Sequence, residues 1–404
     1  MRISILIVTI ACTVSYSDIH SDISSEVSNS FSQIHAIYQD MTYVSWREIK
    51  DHKRSVNDSD ATELHELYTK IKQFNNIVHV NSEAYQQSSA YSFDDGVTVI
   101  ALPGIVNAML TYALYHYDNN HCDTYIAIIE DTLFFIDNVK RFLSDTQTES
   151  FFFAEMGVVN NLFEFSLYIN ILPEIAQSKD SYFLDYFCKH ASNKHLLNYL
   201  DIAYSKVSKT PSTDLIETAQ YYSESLYATN ILSLQQTYGF GWLRNREQEN
   251  VKTILNTARH HIETTGRFPD KPFLRATGII PGRIVAGAYW DVLSTISQLS
   301  NRARTISQVL LWGVLIHRHY SNTGSLPRSL YQAKDATHFE NEGFCNSLNT
   351  ISYINNTQLN YIIRENEFSL CGGTAAIGWS RPARYTFIYT DEYNTGRTMD
   401  SRVD

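Results

Sequence analysis

The sequence is poor in proline and glycine and contains no run of like charges. Its 404 residues include only 8 Pro and 16 Gly, which excludes a collagen-like chain and a chain that is disordered throughout. The formal net charge of -11 is spread along the sequence without a long acidic or basic block. A nucleic-acid-binding surface normally shows clustered Lys and Arg, so no nucleic-acid partner is expected.

Motifs for common catalytic and cofactor sites are also missing. The chain has no HExxH, Walker-type loop, dinucleotide-binding glycine pattern, GxSxG elbow or CxxC pair, each of which would indicate a defined chemistry. Zinc sites need three or four converging ligands, so we expect no cofactor and no metal ion. The histidine pairs 260/261 and 317/319 diverge on a helix, which favours surface or capping roles. His116 and His121 flank a predicted turn and are able to approach each other.

The N-terminus has the pattern of a signal peptide. Arg2 is followed by an apolar run over residues 3–14 and by the small-residue segment at 15–17, as in a secretory signal with its cleavage site. About a dozen apolar residues are too few to span a bilayer, which takes roughly 20 in a helix. We therefore expect a signal peptide over residues 1–17, a mature chain that begins near Asp18, and a secreted, periplasmic or cell-envelope location.

Lipidation of Cys12 is the alternative at this end of the chain. Cys12 follows Thr9-Ile10-Ala11, but Thr9 stands where a lipobox usually has Leu. Membrane attachment is expected only if Cys12 is lipidated or the N-terminal segment is retained.

Four further cysteines suit an exported protein. An even set in such a chain suggests disulfides, and the economical pairing joins Cys345 to Cys371 and Cys122 to Cys188. The first would close a short loop and stabilise the fold by about 3 kcal/mol. Four buried thiols are the alternative, because cysteine is often buried without reacting.

Helical periodicity dominates most of the chain. Leu64, Leu67, Ile71 and Phe74 recur at helical spacing, which predicts an amphipathic helix. Residues 18–60 are expected to be partly flexible, with one short helix over 31–49, and residues 61–321 to form an antiparallel helical domain. Its predicted helices cover residues 61–80, 105–117, 123–143, 151–172, 182–190, 195–206, 214–236, 248–264 and 283–320, the last with a possible break at 300–302.

One uncharged interval admits a membrane-spanning interpretation. Residues 97–117 contain no Asp, Glu, Lys or Arg, but they include Pro103, Gly104, Asn107 and His116. These residues favour a strand or loop followed by a buried helix, and a transmembrane helix is the alternative.

The pattern changes near residue 322. Short alternating segments at 352–354, 359–364, 367–371 and 385–389 predict strands, with a turn at 365–366. Residues 322–391 are thus expected to form a small β-containing unit, followed by a flexible tail over 392–404. The predicted fold class is mostly α, an antiparallel helical domain followed by a small C-terminal α+β unit with a short antiparallel sheet.

A short element near this boundary carries a resemblance. Residues 317–320 read His-Arg-His-Tyr and residues 324–330 read Gly-Ser-Leu-Pro-Arg-Ser-Leu. This resembles the C-terminal part of uncharacterised secreted or envelope helical proteins of planctomycetes and related bacteria. The second element is also similar to the segment after the long helix of type II secretion pseudopilins. A pseudopilin carries its assembly helix at the chain start, so no pilus-like assembly is implied. The resemblance supplies no catalytic residues.

Two carboxylates are the weak catalytic candidates. Glu217 and Glu224 are seven positions apart, which places them on nearly the same face of a predicted helix. Paired carboxylates near tyrosines are able to hydrolyse a glycoside, whereas helical glutamates usually face water. The sequence therefore favours a non-catalytic binding or scaffolding protein with an unknown protein or glycan partner. The alternative is a glycosidase-like hydrolase in a helical fold.

Overall fold

The chain is mostly α-helical, with a small antiparallel β part near its C-terminal end, as the sequence predicted. A computed structural model describes residues 25–52, 55–82, 99–119, 121–143, 145–178, 181–209, 241–269, 284–335, 348–353, 357–364, 367–372, 383–390 and 393–397. Two compact units divide the chain, the first reaching Tyr186 and the second beginning at Phe187. This division differs from the domain limits expected from the sequence, which stay predictions.

The described part of the first unit consists of helices. These are α1 (25–40), α2 (Trp46–His52), α3 (Asp58–Val80), α4 (Leu102–Asp118) after a 3-10 turn at Val99–Ala101, α5 (Cys122–Lys140), α6 (Asp145–Ile169), α7 (Leu172–Gln177) and the start of α8 (Tyr182–His190).

Helix α3 shows how the sequence produces this layer. The Asn57 side chain accepts a hydrogen bond from the backbone N–H of Asp60 at 2.7 Å, which satisfies one of the unpaired donors at the helix start. Leu64, Leu67 and Ile71 are completely buried, which confirms the predicted apolar face. Each such side chain contributes about 1.5–3 kcal/mol through burial.

Helix α4 is the central helix of the first unit. It packs against α3, α5 and α6, and Pro103 occupies its first turn, where the missing N–H costs nothing. Residues Val99–Asp118 are the one helix of the described chain that is long and apolar enough to cross a membrane, and 61% of its apolar window is buried inside the protein. A core helix passes the same test, so this feature gives only weak support for a membrane span.

The N-terminal segment differs from its prediction. The single helix expected over residues 31–49 is two helices, α1 and α2, separated at 41–45. Ser45 and Glu48 form a reciprocal capping box: the Glu48 carboxylate accepts from the Ser45 N–H at 3.3 Å, and the Ser45 hydroxyl accepts from the Glu48 N–H at 3.4 Å. This pair starts a new helix.

The second unit is built on one long helix. The rest of α8 is followed by α9 (Lys194–Lys209), α10 (Gly241–Thr265), α11 (Ile284–Thr323) and α12 (Leu330–Asp335), and α9, α10 and α12 all pack against α11. The 40 residues of α11 are continuous, so the break considered at 300–302 is absent. Residues 300–302 contain neither Pro nor Gly, and nothing there interrupts the helical hydrogen bonds.

Helix α11 ends at Thr323, three residues beyond the predicted end at 320. Gly324 has φ +70°, and its N–H donates to the Tyr320 carbonyl at 2.8 Å. Glycine adopts this left-handed conformation without a Cβ clash. Pro327 follows in a non-helical segment, and Leu330 is buried.

In the part of the chain that the structure describes, six strands follow, and four of them form one sheet in which β3–β4 and β4–β5 pair antiparallel. The strands are β1 (Ile351–Ser352), β2 (Thr357–Gln358), β3 (Asn360–Arg364), β4 (Glu367–Gly372), β5 (Ala383–Thr390) and β6 (Tyr393–Arg397), with β1 paired to β2 and the larger sheet ordered β3-β4-β5-β6. Arg364 pairs with Glu367, as expected for the two strands predicted on either side of residues 365–366. Strand β6 lies in the segment expected to be a flexible tail.

Candidate functional site

The catalytic candidates named from the sequence are not placed by the structure. Glu217 and Glu224 lie outside the described residues, so a paired-carboxylate site there stays a prediction. Cys345 and the side chain of Cys122 also lie outside what the structure describes. The Cys122–Cys188 and Cys345–Cys371 disulfides therefore stay predictions without structural support.

A different group of titratable side chains meets on the surface of the first unit. We call it the histidine–tyrosine cluster and define it as His65, Tyr112, Tyr115, His116 and His121. The His65 Nδ1 and the Tyr112 hydroxyl are 2.8 Å apart, which links α3 to α4. Because α3 and α4 run antiparallel, Tyr115, one turn further along α4, reaches the start of α3.

The tight turn between α4 and α5 brings two histidines together. His116 lies in the last turn of α4 and His121 immediately precedes α5. The His121 N–H donates to the His116 carbonyl at 2.9 Å, and the Asn119 N–H donates to the Tyr115 carbonyl at 3.3 Å. These backbone bonds close the turn and place the two Nδ1 atoms 3.3 Å apart.

Aromatic rings hold the His116 imidazole from two sides. Tyr112 meets it edge to face with ring centroids 4.7 Å apart, and Tyr115 does so at 5.4 Å. Partial burial lowers the pKa of His116, and His121 and His65 lower it further. His116 is therefore neutral at pH 7, and a neutral imidazole has one nitrogen lone pair available to a proton or a metal ion.

The phenols of the cluster have the opposite shift. Burial raises the pKa of Tyr112, and the carboxylate of Asp58 raises the pKa of Tyr115. The Tyr115 hydroxyl donates to Asp58 at 3.3 Å. Both phenols consequently stay protonated and act as hydrogen-bond groups, so neither is an activated nucleophile.

Two carboxylates of α6, Glu155 and Glu164, bind residues of other helices. Lys140 on α5 binds both Glu155 oxygens at 3.1 and 3.2 Å, and Glu155 is only 1% exposed. On the opposite face, Arg47 of α2 donates to Glu164 at 2.9 and 3.2 Å. The two glutamates are nine positions apart, which places them on opposite faces of α6.

Tyrosines bind the carboxylates of α5. The Tyr68 hydroxyl on α3 donates to Asp131 at 2.6 Å, and the Tyr182 hydroxyl on α8 donates to Asp137. Burial raises the pKa of both tyrosines, and the bonded carboxylates raise it further. These bonds join α5 to α3 and α8.

One carboxyl in the first unit has a strongly shifted pKa. Burial raises the pKa of Glu174 to about 7, and its Oε2 atom is buried without a hydrogen-bond partner. A carboxyl with this pKa is partly protonated near neutral pH, which is found both for general acids or bases and for buried structural groups.

In the second unit, α11 holds the segment that leads into the sheet. The Arg304 guanidinium lies 3.4 Å from the centre of the Tyr353 ring, and the Thr305 hydroxyl accepts from the Tyr353 N–H at 2.9 Å. One turn later, Gln308 accepts from the Asn349 N–H at 3.0 Å, and the Trp312 indole donates to the Asn349 carbonyl at 2.8 Å. This contact is structural, because it satisfies backbone groups that would otherwise be buried unpaired.

The surface or capping roles expected for His317 and His319 are wrong. Both side chains are buried, and the His317 ring packs edge to face against Phe387 at 4.3 Å and against Phe368 at 5.4 Å. Burial lowers the pKa of His317 to about 3. His317 is a neutral core residue between α11 and the sheet.

Comparison with known proteins places none of these features in a family. No protein-family model, no curated protein and no solved structure matches the chain. The chemistry of the described side chains is therefore the remaining basis for a functional conclusion.

Proposed function

We propose that the protein is an exported or envelope-associated binding or scaffolding protein without catalytic activity. The observation that carries this proposal is the use of carboxylates in the first unit. Glu155, Glu164, Asp131 and Asp137 each bind a lysine, arginine or tyrosine from another helix.

Such bonds suit a rigid support better than an acid–base site. A general acid or base must be within hydrogen-bond reach of the substrate atom whose proton it moves. These four carboxylates instead use their oxygens to connect α2 to α6, α5 to α6, α3 to α5 and α5 to α8. Breaking one of these pairs to meet a substrate would leave its partner without that bond, at a cost of about 1–3 kcal/mol.

The histidine–tyrosine cluster is the proposed binding face. His65 and His121 are exposed, while Tyr115 and His116 are partly exposed. Tyrosine offers apolar area together with a hydroxyl, and this combination suits a protein or glycan partner. The signal-like start at residues 1–17 supports an extracellular or envelope location for this partner.

Binding without turnover tests the proposal. The mature chain from Asp18 is incubated with insoluble peptidoglycan, chitin or cellulose, and both the sedimented protein and the released reducing sugar are measured. We expect sedimentation with one of these glycans and no sugar release. Tyr115→Ala should weaken sedimentation, whereas Tyr331→Ala, which removes a 65% exposed tyrosine of the second unit, should not.

The contrary result is release of reducing sugar that Glu217→Gln or Glu224→Gln abolishes. That outcome would make the protein a glycosidase and overturn the non-catalytic assignment. Sedimentation that Tyr115→Ala leaves unchanged would instead show that the histidine–tyrosine cluster is not the binding face.

A further inference from the structure

The two histidines at the α4–α5 turn have the spacing of a metal-binding pair. Their Nδ1 atoms are 3.3 Å apart. Two imidazole nitrogens bound to one tetrahedral zinc ion at about 2.0–2.1 Å are separated by about 3.3–3.4 Å. The distance therefore fits two nitrogens that converge on a shared ion as well as it fits two nitrogens that share a proton.

The turn brings the two histidines together through hydrogen bonds that do not involve their imidazoles. Two hydrogen bonds fix the turn. The His121 N–H donates to the His116 carbonyl at 2.9 Å, and the Asn119 side-chain amide donates to the Tyr115 carbonyl at 2.8 Å. Tyr112 and Tyr115 restrict the His116 ring through their edge-to-face contacts. The His116 ring is thus already oriented and loses little conformational entropy when an ion binds.

We propose that His116 and His121 together bind a divalent transition-metal ion through their Nδ1 atoms. Imidazole pairs favour Zn²⁺, Cu²⁺ and Ni²⁺, whereas Mg²⁺ and Ca²⁺ prefer oxygen ligands. This inference goes beyond the binding or scaffolding function and does not depend on it.

The proposed site is open on one side. His121 is exposed and His116 is partly exposed, so an ion reaches both from solvent. In the described part of the chain, no third His, Cys, Asp or Glu completes a three-ligand set with this pair. Water or a group from a partner molecule fills the remaining positions, which makes the site one of moderate affinity.

Metal titration of the full chain tests the proposal. Untagged protein, freed of metal with a chelating resin, is titrated with ZnCl₂ and separately with CuSO₄ by calorimetry, with MgCl₂ as the negative control. We expect one equivalent of Zn²⁺ or Cu²⁺ whose affinity falls at least tenfold in both His116→Ala and His121→Ala. His79→Ala, which removes an exposed histidine from α3, should leave that binding unchanged.

Circular dichroism without metal establishes that the variants fold. Because His121 is exposed, His121→Ala is expected to fold and carries the test if His116→Ala does not. Two results would overturn the proposal: wild-type protein that binds no Zn²⁺ or Cu²⁺ up to about 1 mM, or a folded His121→Ala variant that binds them as tightly as the wild type does.

Discussion

Replacing Gly104 with alanine has two opposing effects on stability, a gain in helix propensity and an overlap with Tyr38, and a second substitution at Tyr38 separates them. It lies in the first turn of α4, where a Cβ atom would be 2.0 Å from the Tyr38 hydroxyl oxygen and 2.5 Å from the ring carbon that carries it. Replacing a helical glycine with alanine stabilises a helix by up to about 1 kcal/mol. The half-buried Tyr38 ring must move to relieve this overlap, and we expect its displacement to cost about 1–3 kcal/mol, so Gly104→Ala should destabilise the protein by about 1–2 kcal/mol.

Removing the Tyr38 ring should reverse the sign. In a Tyr38→Ala background the overlap disappears, and Gly104→Ala should then stabilise the fold by up to about 1 kcal/mol. Urea unfolding followed by far-UV circular dichroism of the four proteins measures both steps and their coupling. Two results would refute the contact between α1 and α4: Gly104→Ala stabilises the wild type, or it changes stability equally in the wild-type and Tyr38→Ala backgrounds.

Three further substitutions test the second unit. Burial lowers the pKa of His317 to about 3, so below about pH 6.5 the unfolded chain binds a proton at His317 that the folded chain does not bind. The free energy of unfolding of the wild type should therefore fall, relative to that of His317→Leu, by up to about 1.4 kcal/mol per pH unit between pH 6 and 4. Parallel pH profiles of the two proteins would contradict this. Gly324→Ala should lower the free energy of unfolding in urea by about 1–2 kcal/mol, because φ at this position is +70°. An unchanged urea midpoint would contradict the left-handed conformation at the end of α11. Arg304→Ala should lower the free energy of unfolding by about 2–4 kcal/mol, because it removes the guanidinium stacked on Tyr353 and leaves a cavity. A thermal unfolding midpoint equal to that of the wild type would refute this.

Local patterns predicted a large part of the fold. The helical face of α3, the exit at Gly324 and the β3–β4 hairpin each depend on residues close together in the sequence. The start of α2 was also readable, since Ser45 and Glu48 have capping-box spacing. The prediction of one helix over residues 31–49 overlooked that signal.

Contacts between distant residues were beyond reach of the sequence. His317 is buried because Phe368 and Phe387 cover it, and the chain reaches those strands only after 50 residues or more. Arg304 meets Tyr353 for the same kind of reason. The expectation that His317 faces the surface considered its own helix alone and was wrong.

The histidine–tyrosine cluster was only partly foreseeable. The sequence indicated that His116 and His121 flank a turn and are able to meet, but a separation of five residues across a turn follows no helical period. Their convergence depends on the backbone bonds that close the turn after α4. The partnership of His65 with Tyr112 depends on the antiparallel packing of α3 on α4, which the periodicity of either helix does not specify.

The N-terminus of the native protein tests the proposed export most directly. Intact-mass and peptide mass spectrometry of untagged protein from its native source would identify the first residue and any acyl group. We expect a mature chain that begins at or near Asp18, with residues 1–17 removed. An intact Met1 would contradict export by signal cleavage, and an acyl group on Cys12 would show lipid anchoring in place of simple cleavage.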